Sequence, residues 1–146
     1  MNDLQRRFER AGRVVAPPSM SSLLDPQNAS YELLVEPEEW TQGSVGQTVA
    51  IDFETFYTAA YSVAELGLWA YCHDPRFEAY LVAVTDGQRT CVCAPSKFPW
   101  ATISGRTWVS HHRDFDRAVF KRLQELGAVP TAVTPSAWFC LSLIHI

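Results

Sequence analysis

An α/β fold, with a mixed β-sheet and helices against its faces, is what this chain of 146 residues predicts. Three observations carry that expectation. The apolar run Thr48-Val49-Ala50-Ile51 continues into Asp52-Phe53-Glu54-Thr55 with the period-two alternation of a strand. Two strand-like runs, Phe77 to Thr85 and Thr90 to Ala94, flank Asp86-Gly87, a two-residue hairpin signal. A short strand, Thr107 to Ser110, runs into a helix whose apolar positions are Phe115, Ala118, Val119, Leu123 and Leu126.

Taken in order, the chain begins with a different kind of sequence. Residues 1–46 open on Arg6, Arg7, Arg10 and Arg13, pass Pro17-Pro18 and a Ser-rich patch, and reach the acidic Glu36-Pro37-Glu38-Glu39. Weak helical and strand signals make this a flexible or poorly structured arm, solvated in the plainer reading and touching nucleic acid through its basic start in the other. Residues 47–140 form the expected domain. After the first strand, Ser62 and Glu65 make a capping box for a helix that ends near His73-Asp74-Pro75. The hairpin follows, then a short helical turn around Phe98 to Ile103, the strand Thr107 to Ser110 and the long helix, closed by Gly127 with Pro130 beyond. Trp138-Phe139 starts another strand. Strand, hairpin, helix, strand, helix, strand is the order of a ribonuclease H-like mixed sheet with flanking helices.

The formal net charge is −4, which does not favour a nucleic-acid binder but leaves room for one whose site concentrates acids around metal ions. Four cysteines, Cys72, Cys91, Cys93 and Cys140, lack paired zinc-type spacing. Cys91 and Cys93 share a strand face, where small buried hydrophobes are the simpler reading. With no secretory or membrane-spanning segment in the sequence, the expectation is a reducing cytoplasm, no membrane partner and an irrelevant Asn28-Ala29-Ser30 sequon.

Candidate chemistry lies in the acids. Alternation places Asp52 and Glu54 side by side on one face of their strand, with Val49, Ile51 and Phe53 on the other. Two neighbouring carboxylates repel unless a hard cation such as Mg²⁺ or Mn²⁺ shares them, or unless they simply face water. In Ser110-His111-His112-Arg113-Asp114-Phe115-Asp116, Asp114 fits a helix N-cap and Asp116 the first turn, where the helix dipole alone would favour an ionised acid. Arg113, Arg117 and Lys121 surround the same helix; Arg117 and Lys121, four apart, face either a phosphate backbone or water. Trp69, Trp100 and Trp108 stack on bases or, more simply, fill the core.

The two acidic motifs in this order resemble those of the 3′-to-5′ exonucleases of the DEDD superfamily, with the proofreading domain of phage-type family A DNA polymerases as the nearest likeness. Asp52 and Glu54 match the Asp-x-Glu motif and Phe115-Asp116 the second motif. Tyr61-Ser62-Val63-Ala64-Glu65-Leu66-Gly67 and His73-Asp74-Pro75-Arg76-Phe77-Glu78 share the phage-type likeness, which runs from Thr48 to Phe139. The resemblance implies two Mg²⁺ or Mn²⁺ ions: Asp52 bridging them, Glu54 on the water-activating ion and Asp116 on the second. Catalytic and metal roles thus fall to Asp52, Glu54 and Asp116, and contact with the 3′ end of single-stranded DNA or RNA to Phe53, Thr55, His112, Phe115 and Arg117. A polymerase domain on the same full-length chain, in a bacterial or phage-infected cell, is the implied partner.

Two departures accompany the likeness. His112 stands where the second motif has Asn, and no Tyr or His with a fourth carboxylate follows Phe139, His145 being no substitute. Residues 141–146, Leu-Ser-Leu-Ile-His-Ile, read either as a genuine apolar strand or buried terminus or as the translation of CTG TCT CTT ATA CAC ATC, a sequencing-library adapter. They are expected to be a non-native tail on a fragment whose fold is incomplete at the C-terminus. Little or no nuclease activity is expected of the chain as given. The rival readings are a free-standing exonuclease of the same superfamily and a non-catalytic nucleic-acid-binding module with the same fold.

Overall fold

The computed structural model describes residues 33–142; the expectations for Met1–Glu32, the basic start among them, and for residues 143–146 of the tail lie outside these. The described chain is α/β, with one six-stranded mixed sheet and helices against it. Strands β1 (Leu33–Val35), β2 (Thr48–Thr55), β3 (Ala79–Thr85), β4 (Arg89–Cys93), β5 (Thr107–Ser110) and β6 (Ala137–Cys140) lie in the order β1-β4-β3-β2-β5-β6. The pairs β2–β3 and β3–β4 are antiparallel, whereas β2–β5, β5–β6 and β1–β4 are parallel. β3 and β4 join through the tight turn after Thr85. There Asp86 Oδ1 accepts the amides of Gln88 and Arg89, and Gly87 takes a φ of 86° that suits only a residue without Cβ.

The central strand β2 has the alternation its sequence predicts. Val49, Ile51 and Phe53 are buried, whereas Asp52 and Glu54 are exposed on the other face. On the buried side the core is aromatic. Trp108 meets Phe120 edge to face at 4.9 Å, Trp100 packs between Phe98 and Phe120, and Phe53 stacks on Trp100 at 6.1 Å. Buried Trp N–H groups need acceptors and have them: Trp100 donates to the Pro95 carbonyl and Trp108 to that of Ile103.

The arm expected over residues 1–46 differs in its described part. Leu33–Val35 pairs in parallel with Arg89–Cys91, and helix α1 (Pro37–Trp40) buries Trp40 completely. The Trp40 indole donates to Thr102 Oγ1 at 2.9 Å, and the Arg89 guanidinium lies over its ring. One large aromatic anchors a segment whose local propensities are weak.

The single helix expected after Ser62 is two: α2 (Val63–Leu66) and α3 (Leu68–His73). Ser62 Oγ caps α2 by accepting the Glu65 amide, but Gly67 at φ 78° breaks the run. Helix α4 (Arg113–Glu125) begins two residues earlier than its apolar pattern, and its N-cap is His112, not Asp114. Asp114 lies inside the first turn and pairs with Arg113 at 3.0 Å. At the other end Gly127, φ 75°, closes the helix as expected, with the Ala128 amide returning to the Leu123 carbonyl.

A candidate carboxylate site at the ends of β2 and β5

Strands β2 and β5 pair in parallel only from Thr48↔Thr107 to Ala50↔Val109, and beyond that register they part. β5 ends at Ser110 and turns through His111 and His112 into α4, while β2 continues to Thr55. The parting leaves the β2 edge without a strand partner, so the Phe53 amide needs an acceptor. Asp116 supplies it: from the first turns of α4 its Oδ1 accepts the Phe53 N–H at 3.4 Å. Helix α4 packs on the aromatic side of the sheet, so Asp116 enters the gap between the strands from below, whereas Asp52 stands on the open face above.

Asp116 is only 1% exposed, and its Oδ2 has no hydrogen bond of good geometry among the described residues. Burial pushes its pKa up to about 6, and the nearby Asp52 carboxylate pushes the same way. The Ser110 hydroxyl, the Phe53 amide and His112 oppose the rise without cancelling it. The chain thus sets two acids near enough to repel, one of them desolvated, an arrangement that costs stability in the absence of a ligand.

Asp52 also lines an open cleft of about 430 Å³ on the sheet face away from the helices, with Ala50, Ala83, Thr85, Ser110 and His111. Glu54 is two residues further along β2 on the same face, opposite Leu81. The β2–β3 register slips just after it, between Glu54 and Thr55. A bulge there twists the strand end and redirects side chains near the acids. Among the described residues no three His, Cys, Asp or Glu side chains are grouped so as to hold one metal ion. Asp52 and Asp116 are the neighbours, and Glu54 is a separate acid on the solvent side.

Several residues expected at the substrate are placed elsewhere. Phe53 and Thr55 are core residues: the Phe53 ring is buried against Trp100, and Thr55 Oγ1 accepts the Tyr71 hydroxyl at 2.7 Å. Alternation along β2 sends both side chains away from Asp52, and only the Phe53 backbone serves the site. Phe115 is half-buried, tilted against Tyr71 at 6.4 Å. His112 is exposed at the start of α4, its ring 6.4 Å from that of Phe115. Arg117 is exposed and turned away from the acids, toward a groove it shares with Arg113 and Lys121. Of the tryptophans, Trp100 and Trp108 are core, while Trp69 is 73% exposed and stacked on His73. Sequence reasoning missed Ser110 and the Phe53 amide, since a strand-end serine and a backbone N–H carry no motif.

Cys72 and Cys91 are buried; burial pushes the Cys72 thiol up to about 11 and Cys91 up to about 12, as inert core thiols behave. No helix among the described residues is long and apolar enough to cross a membrane.

Comparison with known proteins corrects the resemblance drawn from the motifs. No family model and no curated protein matches the sequence. A solved structure that does match is described as that of the yeast NOT1 MIF4G domain co-crystallised with CAF1. The likeness has a TM-score of 0.54 at 12% identity, and covers 83% of this chain and 73% of that one. That neighbour is not described as a proofreading domain or a DNA polymerase, and at such identity the likeness speaks for the fold alone. The expected membership of the DEDD exonuclease superfamily is therefore withdrawn, and the chain is placed by its architecture: an α/β fold built on a six-stranded mixed sheet.

Proposed function

We propose that Asp52 and Asp116 form a divalent-cation site, with Glu54 a separate acid two residues further along β2, at which the protein hydrolyses phosphodiester bonds of nucleic acid, removing nucleotides from a 3′ end. The observation that carries this reading is the buried Oδ2 of Asp116, without a hydrogen bond of good geometry among the described residues, near a second acid. Packing alone does not favour such a pair, because buried oxygens are almost always hydrogen-bonded and adjacent acids repel. A hard cation offsets both costs. Mg²⁺ typically keeps several waters and is held by one or two carboxylates plus substrate phosphates, so a two-acid site with a third acid nearby fits it without a full protein cage. Asp52 and Asp116 would hold the first ion, and Glu54 would face a second on the open side. When bound, such ions lower the pKa of water and stabilise the departing oxygen. The chain's own groups orient: the Phe53 amide fixes Asp116, and His111 lines the cleft beside Asp52.

The finer fold reading belongs with this proposal. Within the sheet, β4-β3-β2-β5-β6 has β3 antiparallel to its neighbours and β2, β5 and β6 parallel. That arrangement supports a ribonuclease H-like sheet, with the acids at the carboxyl ends of parallel strands where ligands of open α/β sheets bind.

A non-catalytic nucleic-acid-binding module is the second reading, favoured by the lack of a three-ligand group among the described residues. The test is calorimetric titration with Mn²⁺ followed by incubation with a 5′-labelled single-stranded oligonucleotide. Expected are Mn²⁺ binding that Asp52→Asn or Asp116→Asn abolishes, and slow shortening from the 3′ end that needs the same two acids. Failure to bind Mn²⁺ overturns the proposal; binding without any shortening selects the second reading.

A further inference from the structure

We infer that the groove between α4 and the segment leading into β6 seats the phosphate backbone of a single-stranded nucleic acid. The inference rests on the proposed carboxylate site only for where the strand's end lies. A groove of about 360 Å³ runs along this side of α4, lined by Arg113, Arg117, Lys121, Gln124, Phe120 and Trp138 among others, and none of the described residues lining it is acidic. Arg113, Arg117 and Lys121 recur every four residues, so they form one row along the helix. At 1.5 Å per residue the row places a cation about every 6 Å over about 12 Å. That spacing suits successive phosphates of an extended strand.

Charge supports the same occupant. The chain carries a net charge of −4, yet this groove gathers three cations. Arg113 spends part of its charge on Asp114 at 3.0 Å, but among the described residues neither Arg117 nor Lys121 has an ion-pair partner. Like charges at four-residue spacing destabilise a helix, so helix stability does not account for the row. An anionic polymer lying along it turns that repulsion into attraction.

The groove is also built to hold its shape. Gln124 Nε2 donates to the carbonyls of Pro130, Thr131 and Val133 at 3.1, 3.4 and 3.0 Å, fastening the opposite wall to the helix. Trp138 is held by its indole N–H on Ser110 Oγ at 3.0 Å and by edge contact with Phe120. Ser110 in turn stands beside Asp116, so the floor of the groove and the carboxylate pair share a wall. Arg113, at the start of α4, marks the end nearer the acids. Contacts of this kind read phosphates and not bases, so binding is indifferent to sequence.

The experiment uses the full chain in EDTA, with a fluorescein-labelled oligothymidylate and anisotropy read across a salt series. With roughly 0.7 counterions released per phosphate on a single strand, three cations give a slope of log K against log salt of about −2. The double variant R117E/K121E is expected to weaken binding at least tenfold. R117Q/K121Q, which alters only exposed side chains, is expected to weaken it less and to flatten the slope by about 1.4. Mn²⁺ titration of the same variants is expected to match wild type. The inference is overturned if R117Q/K121Q binds the oligonucleotide as tightly as wild type at low salt, if wild type shows no salt-dependent binding, or if polyglutamate of equal charge displaces the strand stoichiometrically. Loss of Mn²⁺ binding with the groove intact would sink the metal reading and leave this one standing.

Discussion

Replacing Asp116 by Asn keeps the shape of the side chain and removes its charge. In most proteins, cutting a buried, hydrogen-bonded carboxylate costs stability; here the sign reverses. The folded protein holds the Asp116 carboxyl at about 6, mainly through burial and secondarily through Asp52. A carboxyl raised from its ordinary value near 4 corresponds to about 3 kcal/mol of penalty on the ionised form. Because the folded value lies above the unfolded one, the penalty is absent below about pH 4, develops as the pH rises, and is complete above about pH 6. Asn keeps an acceptor for the Phe53 amide but loses the charge that strengthens that bond, a cost on the order of 1 kcal/mol. The net expectation is a gain of about 1–2 kcal/mol at pH 8, or a Tm higher by about 5 °C. Thermal melts in EDTA at pH 8 and pH 4 read it directly: the Asn variant is the more stable at pH 8, and the gap closes at pH 4. A variant less stable than wild type at pH 8, or a gap indifferent to pH, refutes the claim that Asp116 is an acid under electrostatic strain.

The same titration would govern binding of the proposed cation, since ligand oxygens must lose their proton to bind. Mn²⁺ affinity measured calorimetrically is expected to fall about tenfold between pH 7 and pH 5, and an affinity flat over that interval would exclude Asp116 as a ligand. Trp40→Ala addresses the segment before β2. Its indole is fully buried and hydrogen-bonded to Thr102, so its loss costs about 3–5 kcal/mol in urea unfolding; an unchanged midpoint would mean that residues 33–46 do not belong to the fold.

Periodicity made much of this architecture legible. Val49, Ile51 and Phe53 alternating with Asp52 and Glu54 give β2 its two faces, and the Asp86-Gly87 turn places β3 beside β4. The same alternation sends the Phe53 and Thr55 side chains into the core, a consequence that the motif likeness obscured. What escaped was set by contacts distant in sequence. Strand β1 is three residues long and owes its existence to β4 and to the burial of Trp40, neither of which leaves a local signal. Gly67 splits a helix whose capping box and apolar pattern read as continuous, because an isolated glycine is compatible with either outcome. An acid in the first turn of α4 was visible from the sequence, but its depth was not. That depth follows from β2 and β5 parting after Ala50↔Val109, a property of the sheet and not of the helix. The short acidic motifs, lastly, pointed to a superfamily that the comparisons do not support, while the acids that carried them remain the site's chemical content.

Anomalous diffraction from crystals grown with Mn²⁺ at pH 8 tests the shared-cation claim most directly. A peak within coordinating distance of both the Asp52 and Asp116 carboxylates, absent in crystals of Asp52→Asn, is the predicted result. Mn²⁺ seen only elsewhere on the surface, with the two carboxylates positioned as in its absence, would contradict it.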